Sequence, residues 1–182
     1  MNIQIEGPKG IGKSYLLNNV KNSLESMGYN VVIYHFTRES GGNFDVIYNQ
    51  LIRGKREDTI YLYDRLFLSE LVYTDATPGR SVRFTPEQFT AFANLVDFTI
   101  ILDSTMYQNN LLNILTRDRV ISDLDKAILD DSVKGFNNIE AKYGQYLGDY
   151  YIAKNYDVPS VRTKEQTKIL KMIVDKIIRN EK

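Results

Sequence analysis

A glycine-rich segment near the start of the chain has the spacing most directly tied to chemistry. In the segment "IEGPKGIGKSY", residues 5–15, four residues separate Gly7 from Gly12, and Lys13 and Ser14 follow at once. This spacing matches the P-loop pattern, in which successive backbone N–H groups surround the phosphate oxygens of a nucleotide. In that arrangement Lys13 reaches the outer phosphates and Ser14 holds Mg²⁺. The segment therefore predicts a nucleotide phosphate site that takes Mg²⁺ as cofactor.

The flanking residues provide the context that this loop requires. Residues 2–6 alternate polar and apolar side chains as a strand does, and residues 14–27 carry leucine and valine at helical spacing before Gly28. A glycine-rich turn that merely joins a strand to a helix is the alternative interpretation. The order of strand, glycine loop and helix favours the phosphate site.

Polar residues also follow the other predicted strands. Arg38 follows the second strand, Asp64 and Arg65 follow the third, and Asp103 follows the fourth. Ligands of open α/β sheets bind beyond the carboxyl ends of the strands, so these residues are expected to face the glycine loop. The planar guanidinium groups of Arg38 and Arg65 suit bidentate contact with a phosphate. We therefore expect a donor phosphate at the loop and an acceptor phosphate at the arginines.

The two aspartates have alternative roles. Asp64 is expected either to orient a magnesium-bound water beside Ser14 or to accept a proton from an attacking hydroxyl, and a salt bridge to Arg65 is its structural alternative. Asp103 can serve as a magnesium aspartate or as the cap of the following helix, and we favour the cap.

A second pair of arginines lies in a polar stretch between two predicted helices. Arg117 and Arg119 are placed where a mobile lid would close over a transferred phosphoryl group. Salt bridges at the surface or at helix ends are the alternative for these arginines, as for Arg38 and Arg65.

The elements that must position these residues alternate along the chain. Strands are predicted near 2–6, 31–36, 60–63, 98–102 and 156–161. Helices are predicted near 13–27, 44–53, 65–75, 86–96, 106–117, 123–147 and 164–179. Capping sequences at Thr85 and Thr163 mark two of the helix starts. This alternation predicts an α/β fold, a doubly wound parallel five-stranded sheet flanked by helices.

Composition excludes several classes of function. The 182 residues predict a single domain, and 23 basic residues balance 23 acidic ones, so no overall positive field attracts nucleic acid. The absence of cysteine excludes disulfides and thiolate metal sites, and the single histidine, His35, is expected to pack in a strand. We expect no leader segment, and no apolar run approaches the roughly 20 residues that a membrane span needs. We expect a cytoplasmic protein with small-molecule nucleotide partners, without nucleic acid or membrane, and we leave a homodimer open.

Taken in order, five segments resemble the thymidylate kinase family, a branch of the P-loop nucleoside monophosphate kinases that adjoins the deoxynucleoside kinases. "IEGPKGIGKS" resembles the P-loop of that family, and "TRESGG" at 37–42 is similar to its Thr-Arg-Glu-Pro-Gly-Gly segment. "YDRLFLSELVY" at 63–73 resembles its Asp-Arg-Tyr segment, and "DFTIILD" at 97–103 its fourth strand. "LTRDRVISDLD" at 115–125 resembles its lid. The resemblance covers about residues 1–147, and the short chain is of a kind that suits a bacteriophage genome.

The resemblance implies a single P-loop kinase domain over residues 1–182, with a lid near 115–125. The implied ATP-binding residues are Gly7, Pro8, Lys9, Gly10, Ile11, Gly12, Lys13 and Ser14. The implied catalytic residues are Lys13, Asp64, Arg65, Arg117 and Arg119. Ser14 and Asp64 would hold Mg²⁺, and Arg38 and Arg65 would clamp the acceptor phosphate.

The sequence also departs from the family pattern. Only ten residues separate Arg53 from Asp64, where the family has a further long helix that supplies an aromatic ring and an arginine to the base. Lys9 stands in place of an acidic residue, Leu66 in place of a tyrosine and Thr74 in place of a glutamine. The phosphate site is therefore retained and the base pocket rebuilt. Candidate substitutes for recognition of the base or sugar are Phe67, Glu70, Tyr73 and Arg80.

These observations predict transfer of the γ-phosphoryl group of ATP to a deoxynucleoside monophosphate, with dTMP as the expected acceptor. A monophosphate attacks through an oxygen that is already anionic, and two arginines favour such an acceptor over a nucleoside hydroxyl, which must lose a proton. The alternatives are a deoxynucleoside kinase and, less favoured, a P-loop ATPase or nucleotide-sensing module.

Overall fold

The computed structural model describes residues 1–36, 43–118 and 121–180. In this part of the chain the strands are β1 (Asn2–Glu6), β2 (Val31–His35), β3 (Ile60–Asp64), β4 (Phe98–Leu102) and β5 (Tyr150–Ala153). The helices are α1 (Lys13–Ser26), α2 (Phe44–Arg56), α3 (Phe67–Ala76), α4 (Pro86–Leu95), α5 (Tyr107–Asp118), α6 (Asp123–Asn137), α7 (Ile139–Tyr143) and α8 (Pro159–Asn180), and a 3₁₀ turn spans Gly144–Tyr146. No helix in these ranges is both long and apolar enough to cross a bilayer.

The strands form one parallel sheet in the order β2-β3-β1-β4-β5. Leucines of α1 and isoleucines of α8 pack in a core on one face, and the apolar side chains of α2, α3, α4 and α6 pack in a second core on the other. The predicted doubly wound sheet is therefore confirmed. Since β1 continues into a helix on one face and β3 into a helix on the other, a crevice opens beyond the carboxyl ends of these two neighbours.

The central strand β1 is polar on one of its two buried faces. Ile3 and Ile5 belong to the core beneath α1 and α8, whereas Asn2, Gln4 and Glu6 point to the opposite side. All three polar residues are 0% exposed. Buried polar groups are costly unless they are hydrogen-bonded, so their partners fix where neighbouring elements lie.

Asn2 ties two helices to the sheet. Its Nδ2 donates to the carbonyl oxygens of Leu51 in α2, at 2.7 Å, and of Leu95 in α4, at 2.9 Å. Its Oδ1 accepts a hydrogen bond of 3.1 Å from the hydroxyl of Tyr63 in β3. The side chain is therefore held from three directions and has no freedom to move aside.

The last third of the chain differs from the sequence prediction. The fifth strand is Tyr150–Ala153 and not 156–161, and α8 begins at Pro159, so Thr163 lies inside the helix and does not cap it. Proline is well suited to the first turn of a helix because it needs no hydrogen-bond acceptor there. The helix expected over 123–147 is interrupted at Asn138, which leaves the helical region with φ −108° and ψ 17°.

Several other expectations are confirmed or corrected by local geometry. Thr85 caps α4 with the predicted capping box. Residues 57–59 alone connect α2 to β3, so the additional long helix is indeed missing. The prediction that Asp103 caps the following helix is wrong, because α5 begins only at Tyr107 and the Asp103 carboxylate lies 3.1 Å from Lys154 Nζ.

The close contact between α2 and β1 leads to a stability prediction. A Cβ atom on Gly54 would lie 1.8 Å from Asn2 Oδ1, and three hydrogen bonds prevent Asn2 from yielding. Gly54→Ala is therefore expected to lower the free energy of unfolding by about 1–3 kcal/mol, although alanine is normally the better helix former. The measurement is urea denaturation followed by circular dichroism.

Gly144→Ala is the matched control. Gly144 has helical backbone angles and no atom within 4 Å of an added Cβ. Its substitution is expected to leave stability unchanged or raise it slightly. Equal behaviour of the two variants would contradict the assigned packing of α2 on Asn2.

Candidate active site

The glycine loop joins β1 to α1 and has glycine where a side chain would collide with backbone. Gly7 and Gly10 have φ of 148° and 82°. An added Cβ would lie 2.8 Å from the carbonyl oxygen of Leu102 at Gly7, and 2.4 Å from that of Asn110 at Gly10. The loop is therefore seated against the end of β4 and against α5.

Lys13 is the first residue of α1, and its side chain turns back toward this loop. Its ammonium group is buried and donates to the carbonyl oxygens of Gly7 at 2.9 Å and Pro8 at 2.8 Å. Burial, reinforced by the nearby Arg65 cation, holds the pKa of Lys13 well below its usual value. A phosphate entering the loop would supply the anion that this buried cation lacks.

Asp64 ends β3 directly beside the loop. Its Oδ2 atom lies 2.9 Å from His35 Nδ1 and accepts a long hydrogen bond of 3.5 Å from Ser14 Oγ. Its Oδ1 atom is buried and has no hydrogen-bond partner among the described residues. The site thus places an uncompensated carboxylate oxygen next to the loop serine.

The Ser14 hydroxyl oxygen and the Asp64 carboxylate oxygens are of the kind that Mg²⁺ takes as ligands. Hard cations of this kind bind carboxylate and hydroxyl oxygens, and the buried Asp64 Oδ1 needs a partner of positive charge. Within the described ranges no group of three or more His, Cys, Asp or Glu residues is placed to hold a metal. Ser14 and Asp64 would therefore share Mg²⁺ with phosphate oxygens and water, as is common for nucleotide-bound magnesium.

His35 was expected to pack in the strand, and this expectation is wrong. Its side chain is 55% exposed, and its contact with Asp64 places it at the junction of β2 and β3. His35 is opposite Asp64 in the parallel register of these strands. The available sequence signal was its place as the last residue of the strand, where side chains reach the ligand edge of the sheet.

Arg65 adopts an uncommon backbone conformation immediately after β3. Its φ is 66°, in the left-handed region, and its backbone N–H donates to the carbonyl oxygen of Ile5 at 3.1 Å. Its guanidinium carbon lies 5.0 Å from the centroid of the Tyr73 ring. The Tyr73 hydroxyl in turn accepts a hydrogen bond of 2.9 Å from the backbone N–H of Lys9. Helix α3 is thereby joined to the glycine loop through the arginine and the tyrosine.

Two cavities meet at these residues. The donor cavity, of about 450 Å³, is lined by Gly10, Gly12, Lys13, Ser14, Tyr15, Asp64, Asn113 and Arg162. The acceptor cavity, of about 280 Å³, is lined by Phe36, Leu66, Ser69, Glu70, Tyr73, Arg80 and Arg83. Lys9, His35 and Arg65 line both. One group bound over the loop would therefore adjoin another bound beside α3.

One wall of the acceptor cavity is an ionic cluster in which Glu70 is buried and two arginines are partly exposed. Glu70 Oε2 lies 2.7 Å from an Arg80 terminal nitrogen and 3.3 Å from Arg83 Nε. Glu70 Oε1 is buried without a hydrogen-bond partner in the described part of the chain. The cluster presents both a hydrogen-bond acceptor and arginine donors. The sequence analysis named Glu70 and Arg80 but did not name Arg83.

Phe67 is not brought to the site. The residue is 1% exposed, and its ring packs against Phe89 and Phe92, with centroids 6.2 and 5.9 Å away. The first residue of α3 thus points into the core, and the cavity is formed by side chains one and two turns further along the helix.

Arg162 was not among the predicted site residues, and the segment before it was predicted to be a strand and not the start of α8. It lies near the start of α8 and donates to the carbonyl oxygens of Tyr156 and Asp157, at 3.2 and 3.3 Å. Its guanidinium lies 3.8 Å from the position of a Cβ on Gly12. Arg162 therefore adds a cation from the C-terminal part of the chain to Lys9, Lys13 and Arg65 in the lining of the donor cavity.

Three predicted residues are not located in the site. Arg38 and Arg119, with the segment 37–42, lie outside the described residues. Arg117 belongs to α5, and the structure does not describe its side chain. Their assignment to an acceptor clamp and a lid remains a prediction.

The comparisons with known proteins concern the fold. No protein-family model matches the chain, and no curated protein matches its sequence. The YorR protein from Bacillus subtilis, solved in complex with phosphorylated GDP, aligns with a TM-score of 0.65 and 18% identity, over 100% of this chain and 98% of that one. Deoxyadenosine kinase from M. mycoides with bound dATP aligns with a TM-score of 0.59 and 15% identity, over 97% and 98%. The chain shares the α/β fold of these two nucleotide-bound structures.

Proposed function

We propose that this protein is an ATP-dependent nucleotide kinase that transfers the γ-phosphoryl group of ATP to a deoxynucleoside monophosphate, with dTMP as the preferred acceptor. The observation that carries the proposal is the junction of the two cavities at Lys9, His35 and Arg65. One cavity is built on a phosphate-binding loop and the other is lined by three arginines. Phosphoryl transfer requires chiefly that two anionic groups be held in line and their charge stabilised.

The glycine loop and its neighbours would bind the phosphate donor, ATP. Its backbone N–H groups and Lys13 would hold the β- and γ-phosphates of ATP, and Arg162 would border the rest of the nucleotide. Ser14 and Asp64 would hold Mg²⁺, which neutralises charge on the phosphate oxygens when bound. Lys13 is already directed to the loop, so it needs only to exchange carbonyl partners for phosphate.

The acceptor side favours an anion. Arg65 lies at the point shared by both cavities, where a 5′-phosphate of the acceptor would supply its counter-charge. A nucleoside would bring no anion to this guanidinium and would forgo the charge-assisted contact that a phosphate makes with it, which should lower its kcat/KM. A monophosphate attacks through an oxygen that is already ionised, so it needs no base. Asp64, whose Oδ2 contacts His35 and Ser14, then has no proton to remove.

The ionic cluster supports thymine as the base. Thymine presents an N–H donor beside a carbonyl acceptor, which complements Glu70 Oε1 and the guanidinium of Arg80. A volume of about 280 Å³ is at the small end of ligand cavities and suits a single-ring base better than a purine. Together with the resemblance of the sequence to thymidylate kinases, these features support dTMP.

A deoxynucleoside kinase is the second candidate, and the contact between His35 and Asp64 favours it. An imidazole paired with a carboxylate can take the proton of an attacking hydroxyl, the step that a nucleoside acceptor requires. An ATPase or nucleotide-sensing module would have no use for the acceptor cavity and is the least supported reading.

The role of Lys13 can be tested without an acceptor. Lys13→Met is expected to abolish the rise in melting temperature that Mg²⁺-ATP produces in the unmodified protein, because the outer phosphates lose their cation. Lys171→Met, at an exposed position on α8, is the matched control and should retain the full shift. Differential scanning fluorimetry over a range of ATP concentrations makes the measurement. A normal shift in folded Lys13→Met would remove the phosphate-site assignment.

The acceptor is tested by supplying each deoxynucleoside beside its own monophosphate, with Mg²⁺-ATP in a coupled assay. We expect dTMP to give the highest kcat/KM, and thymidine to be poorer by about 100-fold or more because Arg65 lacks its partner. Glu70→Gln should reduce the preference for dTMP over dCMP, since an amide offers cytosine and thymine equivalent partners.

The same assay with Asp64→Asn separates the two candidates. If the unmodified protein uses nucleosides efficiently, and Asp64→Asn abolishes this use but keeps the rise in melting temperature with Mg²⁺-ATP, then Asp64 acts in proton removal and the protein is a nucleoside kinase. If dTMP remains the better acceptor in the unmodified protein, the monophosphate assignment stands.

A further inference from the structure

Glu6 is a buried charged residue to which the proposed reaction assigns no role. It ends β1 immediately before the glycine loop and is 0% exposed. One carboxylate oxygen, Oε1, accepts a hydrogen bond of 2.8 Å from the backbone N–H of Leu66, and Oε2 accepts another from Ser69 Oγ. Both donors belong to the start of α3, a helix more than sixty positions away in sequence.

These contacts give α3 its N-terminal cap. Leu66 occupies the cap position, and its own side chain makes no capping hydrogen bond. The carboxylate of Glu6, which belongs to strand β1, accepts the backbone N–H of this cap residue, as the glutamate of a capping box does, and places a carboxylate at the positive end of the helix. The helix start is therefore fixed relative to the glycine loop, because the cap and the loop are adjacent residues of one chain segment.

Arg65 lies directly before this cap. A non-glycine residue with a φ of 66° is uncommon, and such conformations persist where the surrounding structure fixes them. Arg65 is held on both sides: its N–H by Ile5 in β1, and the N–H of the next residue by Glu6. The direction of the guanidinium toward Tyr73 follows from this backbone turn.

The surrounding charges agree with this arrangement. Burial raises the pKa of Glu6, while the hydrogen bonds from Ser69 and Leu66 and the Arg65 cation act to lower it. The Lys13 cation acts in the same direction as Arg65. The Glu6 carboxylate therefore lies within reach of two cations of the site.

We propose that Glu6 is a positioning residue for the acceptor: by capping α3 it holds the backbone turn that places Arg65 between the two cavities. The inference rests on the proposed function insofar as Arg65 binds the acceptor phosphate. The proposed role does not involve the ATP site. Substitution of Glu6 should therefore raise KM for dTMP more than KM for ATP.

Gln4 provides a matched control on the same strand. It faces the same side as Glu6, is equally buried, and its Nε2 donates to Thr99 Oγ1 in β4 at 2.8 Å. Gln4 lines neither cavity, and its described hydrogen bond is to β4 and not to α3. Gln4→Met therefore removes a buried polar contact of β1 without disturbing the cap of α3. It measures how much such a loss alone changes KM.

The kinetic experiment compares Glu6→Gln, Glu6→Ala, Arg65→Lys and Gln4→Met in the transfer of phosphate from ATP to dTMP. Glu6→Gln is expected to raise KM for dTMP about tenfold, and Glu6→Ala further, with KM for ATP changed by less than about twofold. Gln4→Met should leave both values unchanged. The double variant Glu6→Gln/Arg65→Lys should be no worse than the poorer single variant, because Glu6 acts through Arg65.

A second measurement does not require activity. The side-chain Nε–H resonance of Arg65, identified by its loss in Arg65→Lys, should carry a ring-current shift from Tyr73 in the free protein. This shift should collapse in Glu6→Gln and persist in Gln4→Met. The NMR result therefore tests the positioning role even for a variant that transfers nothing.

The outcomes distinguish this inference from the proposed function. An unmodified protein that phosphorylates no monophosphate would refute the function, while loss of the Arg65 shift in Glu6→Gln would still support positioning. If Arg65→Lys raises KM for dTMP but Glu6→Gln leaves both this value and the resonance unchanged, the inference is overturned. Additive effects in the double variant, or an equal rise in KM for ATP, would overturn it as well.

Discussion

The parallel pairing of β1 with β3 is the constraint on which the rest of the site depends. This register sets Ile5 opposite Asp64, so the glycine loop that follows β1 and the Asp64–Arg65 turn that follows β3 emerge side by side. The helices after these strands pack on opposite faces of the sheet, and a crevice must open between them. A shift of one residue in the register would separate Ser14 from Asp64 and turn the polar face of β1 into the wrong core.

The buried polar side chains of β1 help to fix the register of this pairing. A central strand of a parallel sheet is usually apolar on both sides, whereas here Asn2, Gln4 and Glu6 are all buried. Each has a separate partner: Asn2 bonds to α2 and α4, Gln4 to β4, and Glu6 to the start of α3. Hydrogen bonds are directional and unpaired buried groups are costly, so the strand admits one arrangement of its neighbours.

Sequence periodicity predicted the bounds of an element well where the local pattern of residues alone defines that element. The strands at 2–6 and 98–102 and the capped helix at Thr85 were predicted nearly to the residue. Prediction failed at 150–161, where two tyrosines and an isoleucine form the strand while the later segment turns into α8. Which of two short apolar runs joins a sheet edge depends on pairing with β4, a contact that local pattern does not encode.

The sequence by itself determined the glycine loop between β1 and α1, the alternating α/β order and the presence of polar residues at strand ends, because these depend on local spacing and on the common direction of parallel strands. Tertiary structure alone decided which residues meet. It moved Phe67 into the core, brought Arg83 to Glu70 and Arg162 to the loop, and set His35 against Asp64. Contacts between residues far apart in the chain follow from sheet register and helix packing, and no single segment carries that information.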